Sequence, residues 1–151
     1  MTYKRFEDLP VWKDAIALSV AVFELTADRR FRFIGDLANQ LQRAALSVPS
    51  NIAEGFERGT MSELISFLYY GRGSAGEIRS IFAVAERLQA LREFRPQFVD
   101  LRSRAEAISR QIGGWLASLR NSTVKGNRSR TTDQGSQSKR GQHGRQQMDS
   151  V

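Results

Sequence analysis

The stretch LYYGRGSAGEI, Leu68 to Ile78, decides the fold class. Its centre, GRGSAG, satisfies the dinucleotide pattern G-x-G-x-x-G with glycines at 71, 73 and 76. In a nucleotide-binding fold that pattern follows a strand and opens a helix, so that N–H groups at the helix start face the pyrophosphate. The surroundings here read differently. Upstream, TMSE (Thr60 to Glu63) is a capping box, in which Thr60 and Glu63 satisfy each other's free N–H groups. From there Met61, Leu64, Leu68, Gly71, Ala75, Ile78, Phe82 and Ala85 recur at spacings of 3, 4, 3, 4, 3, 4 and 3. The seam crosses the glycines without a change of phase, which places them inside a helix over about 60–91.

A mid-helix glycine costs about 1 kcal/mol against alanine. Gly71 lies on the seam. With Ala75 it forms a small-residue groove suited to a neighbouring backbone or a large ring such as Trp12 or Trp115. Gly73 and Gly76 lie off the seam, where another subunit is one contact they would suit.

The same period recurs in three other segments, and none alternates as a strand would. Over about 9–28 the stripe is Val11, Ala15, Leu18, Val22 and Leu25, widened by Trp12, Ile16 and Phe23, with Pro10 suited to a first helical turn. Over about 33–57 it is Ile34, Leu37, Leu41, Ala44, Val48 and Ile52. Pro49 inside that segment removes a backbone hydrogen bond and predicts a kink between Ala45 and Ser50, and the Gly55–Gly59 region ends the helix. Over about 95–120 it is Phe98, Leu101, Ala105, Ile108, Ile112, Trp115 and Leu119. Short connections between long amphipathic helices predict an all-α, antiparallel up-down four-helix bundle.

Composition sets the limits of that bundle. Residues 1–120 hold nearly all the apolar side chains and carry 17 Lys+Arg against 14 Asp+Glu. Residues 121–151 have no aromatic residue and carry 6 Lys+Arg against 2 Asp+Glu. That segment has too little apolar surface to offset its ordering entropy, so it reads as a disordered basic tail beyond a bundle of residues 1–120. There is no cysteine, which removes disulfides and thiolate chemistry. No run is long and apolar enough for a transmembrane helix, and the first residues lack a signal core, so a cytoplasmic protein without membrane contact is expected.

Catalytic constellations are missing. The single histidine, His143, lies in the tail, which leaves no triad or histidine-based metal site in the bundle. The Glu-x-x-His pairs of di-iron bundles are absent too. No enzyme activity, cofactor or metal is expected. On the second segment, Arg43, Ser47, Asn51 and Glu54 fall at spacings of 4, 4 and 3 and share a face. They read as a polar network that fixes register, with Arg43 paired to Glu77 of the third helix and Ser47 or Asn51 bonding carbonyls freed by Pro49. A nucleic-acid or ligand site is the alternative for that face.

Basic stripes point to a polyanion. Arg72, Arg79 and Arg87 follow one another at 7 and 8 residues on the third helix, and Arg95, Arg102 and Arg110 repeat those spacings on the fourth. Arg120, Lys125, Arg128, Arg130, Lys139 and Arg140 continue the basic character into the tail. With few exposed aromatic residues beyond Tyr69 and Tyr70, contact should be driven by phosphates and sensitive to salt.

Three stretches carry a family resemblance: FEDLPVWKDA (Phe6 to Ala15), QLQRAALSVPSNIAEGFER (Gln40 to Arg58) and GSAGE (Gly73 to Glu77). Together they resemble the four-helix-bundle proteins encoded by intervening sequences in bacterial 23S rRNA genes, over about residues 6–120. That family is similar in turn to the accessory variability determinant of diversity-generating retroelements. GSAGE departs from the commoner form of its motif in having Ala-Gly where a larger apolar residue is usual. The resemblance implies a four-helix bundle, a homopentamer with a basic surface, and, from the retroelement relatives, binding of nucleic acid and a reverse transcriptase. The functional expectation is a non-enzymatic accessory factor that binds RNA or DNA. The alternative is a protein-interaction adaptor or scaffold without nucleic-acid binding. Apolar residues left over from the seams, Ile65, Phe67 and Ile81, suggest a contact face for other subunits.

Overall fold

Local signals set the helix ends. Glu63 N–H donates to Thr60 Oγ1 at 3.3 Å, so the predicted cap forms. The return half of the capping box does not form: the Glu63 carboxylate accepts from the Thr60 hydroxyl at 2.6 Å instead of the Thr60 N–H. Pro10 occupies the first turn of its helix, as expected. Gly59, with φ of 83°, takes the left-handed conformation just past the second helix, which a side chain would oppose.

The computed structural model describes residues 2–137, with side chains described through 127. Four α-helices carry the fold: α1 (Pro10–Thr26), α2 (Leu37–Glu57), α3 (Met61–Arg87) and α4 (Arg95–Gln137). Short 3-10 segments lie at Phe6–Asp8, Arg29–Phe33 and Gln89–Phe94. No strand occurs among the described residues. The strand-to-helix turn that a dinucleotide site requires is therefore absent from the GRGSAG region, which sits within α3.

Contacts across the helices fix an antiparallel order. Ser74 faces Ser47, while Gly55, further along α2, meets Phe67, further back on α3. Gly71 meets Ile112, while Phe82 stacks near Phe98 with ring centroids 5.7 Å apart, so α3 and α4 also run oppositely. Asp14 of α1 accepts from Gln111 of α4 at 2.8 Å, closing the ring of helices.

The seams pack much as their periodicity predicts. Leu68, Gly71, Ala75, Ile78, Phe82 and Ala85 are all buried on α3. Met61, at the first turn, is exposed. On α1 the inward face ends on Thr26 in place of Leu25, and Ile16 and Phe23 are exposed. On α4 the buried series runs Phe98, Leu101, Ala105, Ile108, Ile112 and then Leu116, leaving Trp115 half-buried. A straight helix drifts against a strict seven-residue repeat, which carries the face from position 115 to 116.

Two helix boundaries differ from expectation. The second helix begins at Leu37, not near 33, because Gly35 turns left-handed with φ of 52° after the 3-10 segment. The fourth runs on to Gln137. No proline interrupts residues 121–137. Two compact units divide the chain, Met1–Leu116 and Ala117–Val151. No described side chain beyond Leu116 is buried, so the hydrophobic core belongs to the first unit. Residues 138–151 of the expected tail lie outside the described residues.

Pro49 does not break α2, which continues through it. A proline at 49 leaves the Ala45 carbonyl without its helical donor. The replacement comes from neither Ser47 nor Asn51. Ser19 of α1, a buried residue, has its hydroxyl 2.7 Å from the Ala45 carbonyl and 2.9 Å from that of Ala15. One hydroxyl proton serves both acceptors in turn. A hydroxyl on an apolar face thus finds its partner in a carbonyl that the proline released on another helix.

An exposed ionic cluster joins the two inter-helix connections at one end. Arg30 donates to Asp28 from Nε at 2.9 Å and from Nη2 at 3.0 Å, contacts the Glu93 carboxylate, and lies over the Phe94 ring at 4.2 Å. Beneath it Phe31, Phe94 and Phe98 pack together, with Phe31–Phe94 centroids 5.2 Å apart. The Arg30 side chain, and then the Arg30 backbone N–H, hold the Asp28 carboxyl down at about 2.

Two outcomes are expected. Ser19→Ala should cost about 1–3 kcal/mol in urea unfolding, because the Ala45 carbonyl loses its donor. In a Pro49→Ala background the same change should cost less, since an N–H returns to that carbonyl. Asp28 has a depressed folded-state value, so its contribution is complete above the ordinary carboxylate range and disappears as pH falls through about 2. Melting temperatures of the parent and Asp28→Asn should therefore differ at pH 5 and converge below that value.

Candidate nucleic-acid interface

The glycines of α3 divide by face. Gly71 points inward at α2: a Cβ there would stand 3.6 Å from both the Val48 carbonyl and Asn51 Cβ, and 3.8 Å from Ile112 Cδ1. It faces the core at ordinary van der Waals distance, and its neighbour is α2, not Trp12 or Trp115. Gly55 does the same from α2, more tightly: its Cβ would sit only 2.8 Å from Phe67 Cβ. Phe67 cannot swing away at Cβ, so any side chain at 55 must move a backbone.

Gly73 and Gly76 serve no such contact. A Cβ at either would find no heavy atom within 4 Å. Each costs helix stability and returns nothing to internal packing. Both open instead onto a surface groove between α3 and α4, of about 480 Å³. From α3 it is lined by Tyr69, Arg72, Gly73, Gly76 and Arg79, and from α4 by Glu106, Ser109, Arg110 and Gly113. Gly113 is the α4 counterpart: its Cβ would lie 3.8 Å from the guanidinium carbon of Arg72, so Arg72 reaches across α3 and rests on α4. Small residues thus form the floor, and arginines form the walls.

The groove's charge is lopsided. Arg72 and Arg79 have no ion-pair partner among the described residues, while Arg110 is held by Glu106 at 3.2 Å. Three cations against one carboxylate leave the groove basic. A concave basic surface attracts polyanions more strongly than the same charges on a flat face.

The other predicted arginines do different work. Arg87 donates back to the Ala83 carbonyl within α3 at 2.6 Å, and Arg95 donates to the Glu86 carbonyl at 2.8 Å at the free end of the helix. Arg102 Nε lies 2.9 Å from Glu86 Oε1, an ion pair without hydrogen-bond alignment. The stripe read from spacing alone therefore splits, with Arg72, Arg79 and Arg110 at the groove and Arg87, Arg95 and Arg102 at the α3–α4 junction. Arg120 and Lys125 are exposed on α4 in the second unit. Arg128 and Arg130 lie on helical backbone with side chains outside the described set, and Lys139 and Arg140 lie outside the described residues.

The polar face of α2 forms a smaller network than expected. Asn51 Nδ2 donates to the Ser47 carbonyl at 2.8 Å and lies 2.9 Å from Ser47 Oγ. Ser74 of α3 completes it, its hydroxyl donating to Ser47 Oγ at 2.8 Å. Ser74 went unnoticed in the sequence because it sits inside the glycine motif, off the seam. Glu54 pairs with Arg58 at 2.8 Å. Arg43 and Glu77 both face solvent, and no ion pair joins them, which corrects the expected pairing. In water such a pair gains too little to hold two flexible side chains together.

Among the described residues no group of three His, Cys, Asp or Glu stands close enough to hold a metal ion. No described helix is long and apolar enough to cross a membrane. The architecture defines a small all-α protein, a four-helix bundle with one basic, glycine-floored groove. The family model of the 23S rRNA-intervening sequence proteins matches residues 7–114, and the chain belongs to that family. The matched span coincides with the compact first unit and covers the whole groove. No curated protein matches the sequence.

The two kinds of glycine are separable by stability. Gly73→Ala and Gly76→Ala should each stabilise the protein by up to about 1 kcal/mol in urea unfolding. Gly55→Ala should destabilise it, by about 1–3 kcal/mol, since overpacking forces a backbone shift.

Proposed function

We propose that this protein is a non-enzymatic, homo-oligomeric accessory factor that binds RNA or DNA through its basic surfaces. The observation that carries the reading is the α3–α4 groove, where Arg72 and Arg79 have no carboxylate partner among the described residues and stand beside Arg110. Unneutralised arginines in a concave site favour a phosphate backbone, with affinity arising largely from released counterions. The family's description refers to an intervening sequence of 23S rRNA, which fits an RNA partner. The sequence from Arg120 onward is also rich in Lys and Arg, which adds to the charge attraction for such a partner. A pentamer and a reverse-transcriptase partner rest on the family resemblance, and a cytoplasmic location fits an rRNA-related family.

A second reading has its own support. Ile16, Val20 and Phe23 are exposed at spacings of 4 and 3 on α1, a face suited to another protein or another copy. The leftover residues expected to play that part, Ile65, Phe67 and Ile81, are half-buried, and Phe67 packs on Tyr70 with centroids 5.8 Å apart. An adaptor without nucleic-acid binding would use the α1 face alone.

Mobility-shift titrations of structured RNA and single-stranded DNA over a salt series distinguish the readings. Binding should weaken linearly in a log–log salt plot. Arg72→Ala and Arg79→Ala should each lower the slope by about 1. Absence of binding at low salt would leave the adaptor reading.

A further inference from the structure

We infer that the α3–α4 groove receives an unpaired strand, with phosphates on its arginines and a base stacked on Tyr69. This rests on the nucleic-acid reading above and makes it specific to strand type. The groove holds about 480 Å³, a volume that suits a ligand of small-molecule size and so a short piece of one strand. A duplex carries its bases stacked inside and offers only a convex backbone, so it meets the arginines without filling the slot.

Tyr69 is the element that a purely electrostatic surface would not need. Tyr69 as a whole is 37% exposed, and it lines the groove one turn before Arg72 and Gly73. Alternation of an aromatic platform with cations is how sequence-tolerant single-strand sites are built, because every base has a face to stack and every link has a phosphate to bind. Bases in a duplex cannot reach such a ring without leaving the helix.

The glycines complete the case. Nothing within the protein explains Gly73 or Gly76, since a Cβ at either enters open groove space. That same space is where a base or sugar lying against the helix would sit. The Arg72 guanidinium comes to rest beside Gly113 of α4, 3.8 Å from where a Cβ would stand. The off-seam glycines are thus those of a surface that something approaches closely. A second copy's helix would also fit small residues, but it would have to bury Arg72 and Arg79, which have no ion-pair partner among the described residues.

The test uses the full chain with a labelled 12-nucleotide single strand and the same sequence closed as a hairpin duplex, followed by anisotropy at low salt. The single strand should bind about ten-fold tighter or more, and Tyr69→Ala should weaken it by about ten-fold while leaving the hairpin unchanged. Tyr69→Phe, which keeps the ring, should restore single-strand binding. Gly73→Leu and Gly76→Leu should weaken the single strand without lowering the melting temperature, because a Cβ at either position enters open groove space. Equal binding of the two forms, insensitive to Tyr69→Ala, would overturn the inference and leave general nucleic-acid binding intact. Binding of neither form would remove the nucleic-acid reading itself. A change of mass in light scattering with Gly76→Leu would make the groove a subunit contact and overturn the inference too.

Discussion

Everything in the bundle depends on how closely α2 can approach α3. Gly55 sets that distance, since a Cβ there would stand 2.8 Å from Phe67 Cβ, while Gly71 faces the Val48 carbonyl at ordinary contact distance. Backbone polar groups brought that near to apolar surroundings must all be bonded. The Ser47–Asn51–Ser74 chain and the Ser19 bond to the Ala45 carbonyl do this at the points where side chains or the proline disturb the ladder. The packing and the polar bonds are one arrangement: loosening the helices would leave the Ala45 carbonyl without its donor.

That arrangement frees the other side of α3. Its inward seam turns toward α2 and α4, its Ser74 edge toward α2, and its Arg72–Arg79 edge toward α4. The glycine motif is therefore read twice by the structure. Gly71 acts in the core, while Gly73 and Gly76 act at the surface, and only the helical period assigns each to its side. A phosphate cradle at a helix start and a glycine-floored groove along a helix flank both bring backbone close to a ligand. They differ in what supplies the positive charge: N–H groups in the first, arginine side chains here.

The fold was legible because the signals were redundant. Four seams, one cap, Pro10 and Gly59 all pointed to the same helices, and α3 repeats its predicted seam from Leu68 to Ala85. What escaped was set by pairing between distant segments. Ser19 reads as a polar interruption of an apolar stripe until α2 places Ala45 against it. Phe31, buried beside Phe94 and Phe98, lies in a connection with no period to reveal it. The arginine stripes were visible as spacings, but their division was not, because Glu86 captures Arg102 only once α3 and α4 are antiparallel. Arg43 and Glu77 show the converse: complementary charges on facing helices that remain solvated.

Amide NMR during titration with a single-stranded oligonucleotide tests the central claim, that the α3 glycines separate into packing and binding positions. The N–H resonances of Gly73, Gly76 and Gly113 should shift progressively, while those of Gly55 and Gly71 stay in place. Shifts confined to α1, or equal shifts at all five glycines, would contradict it.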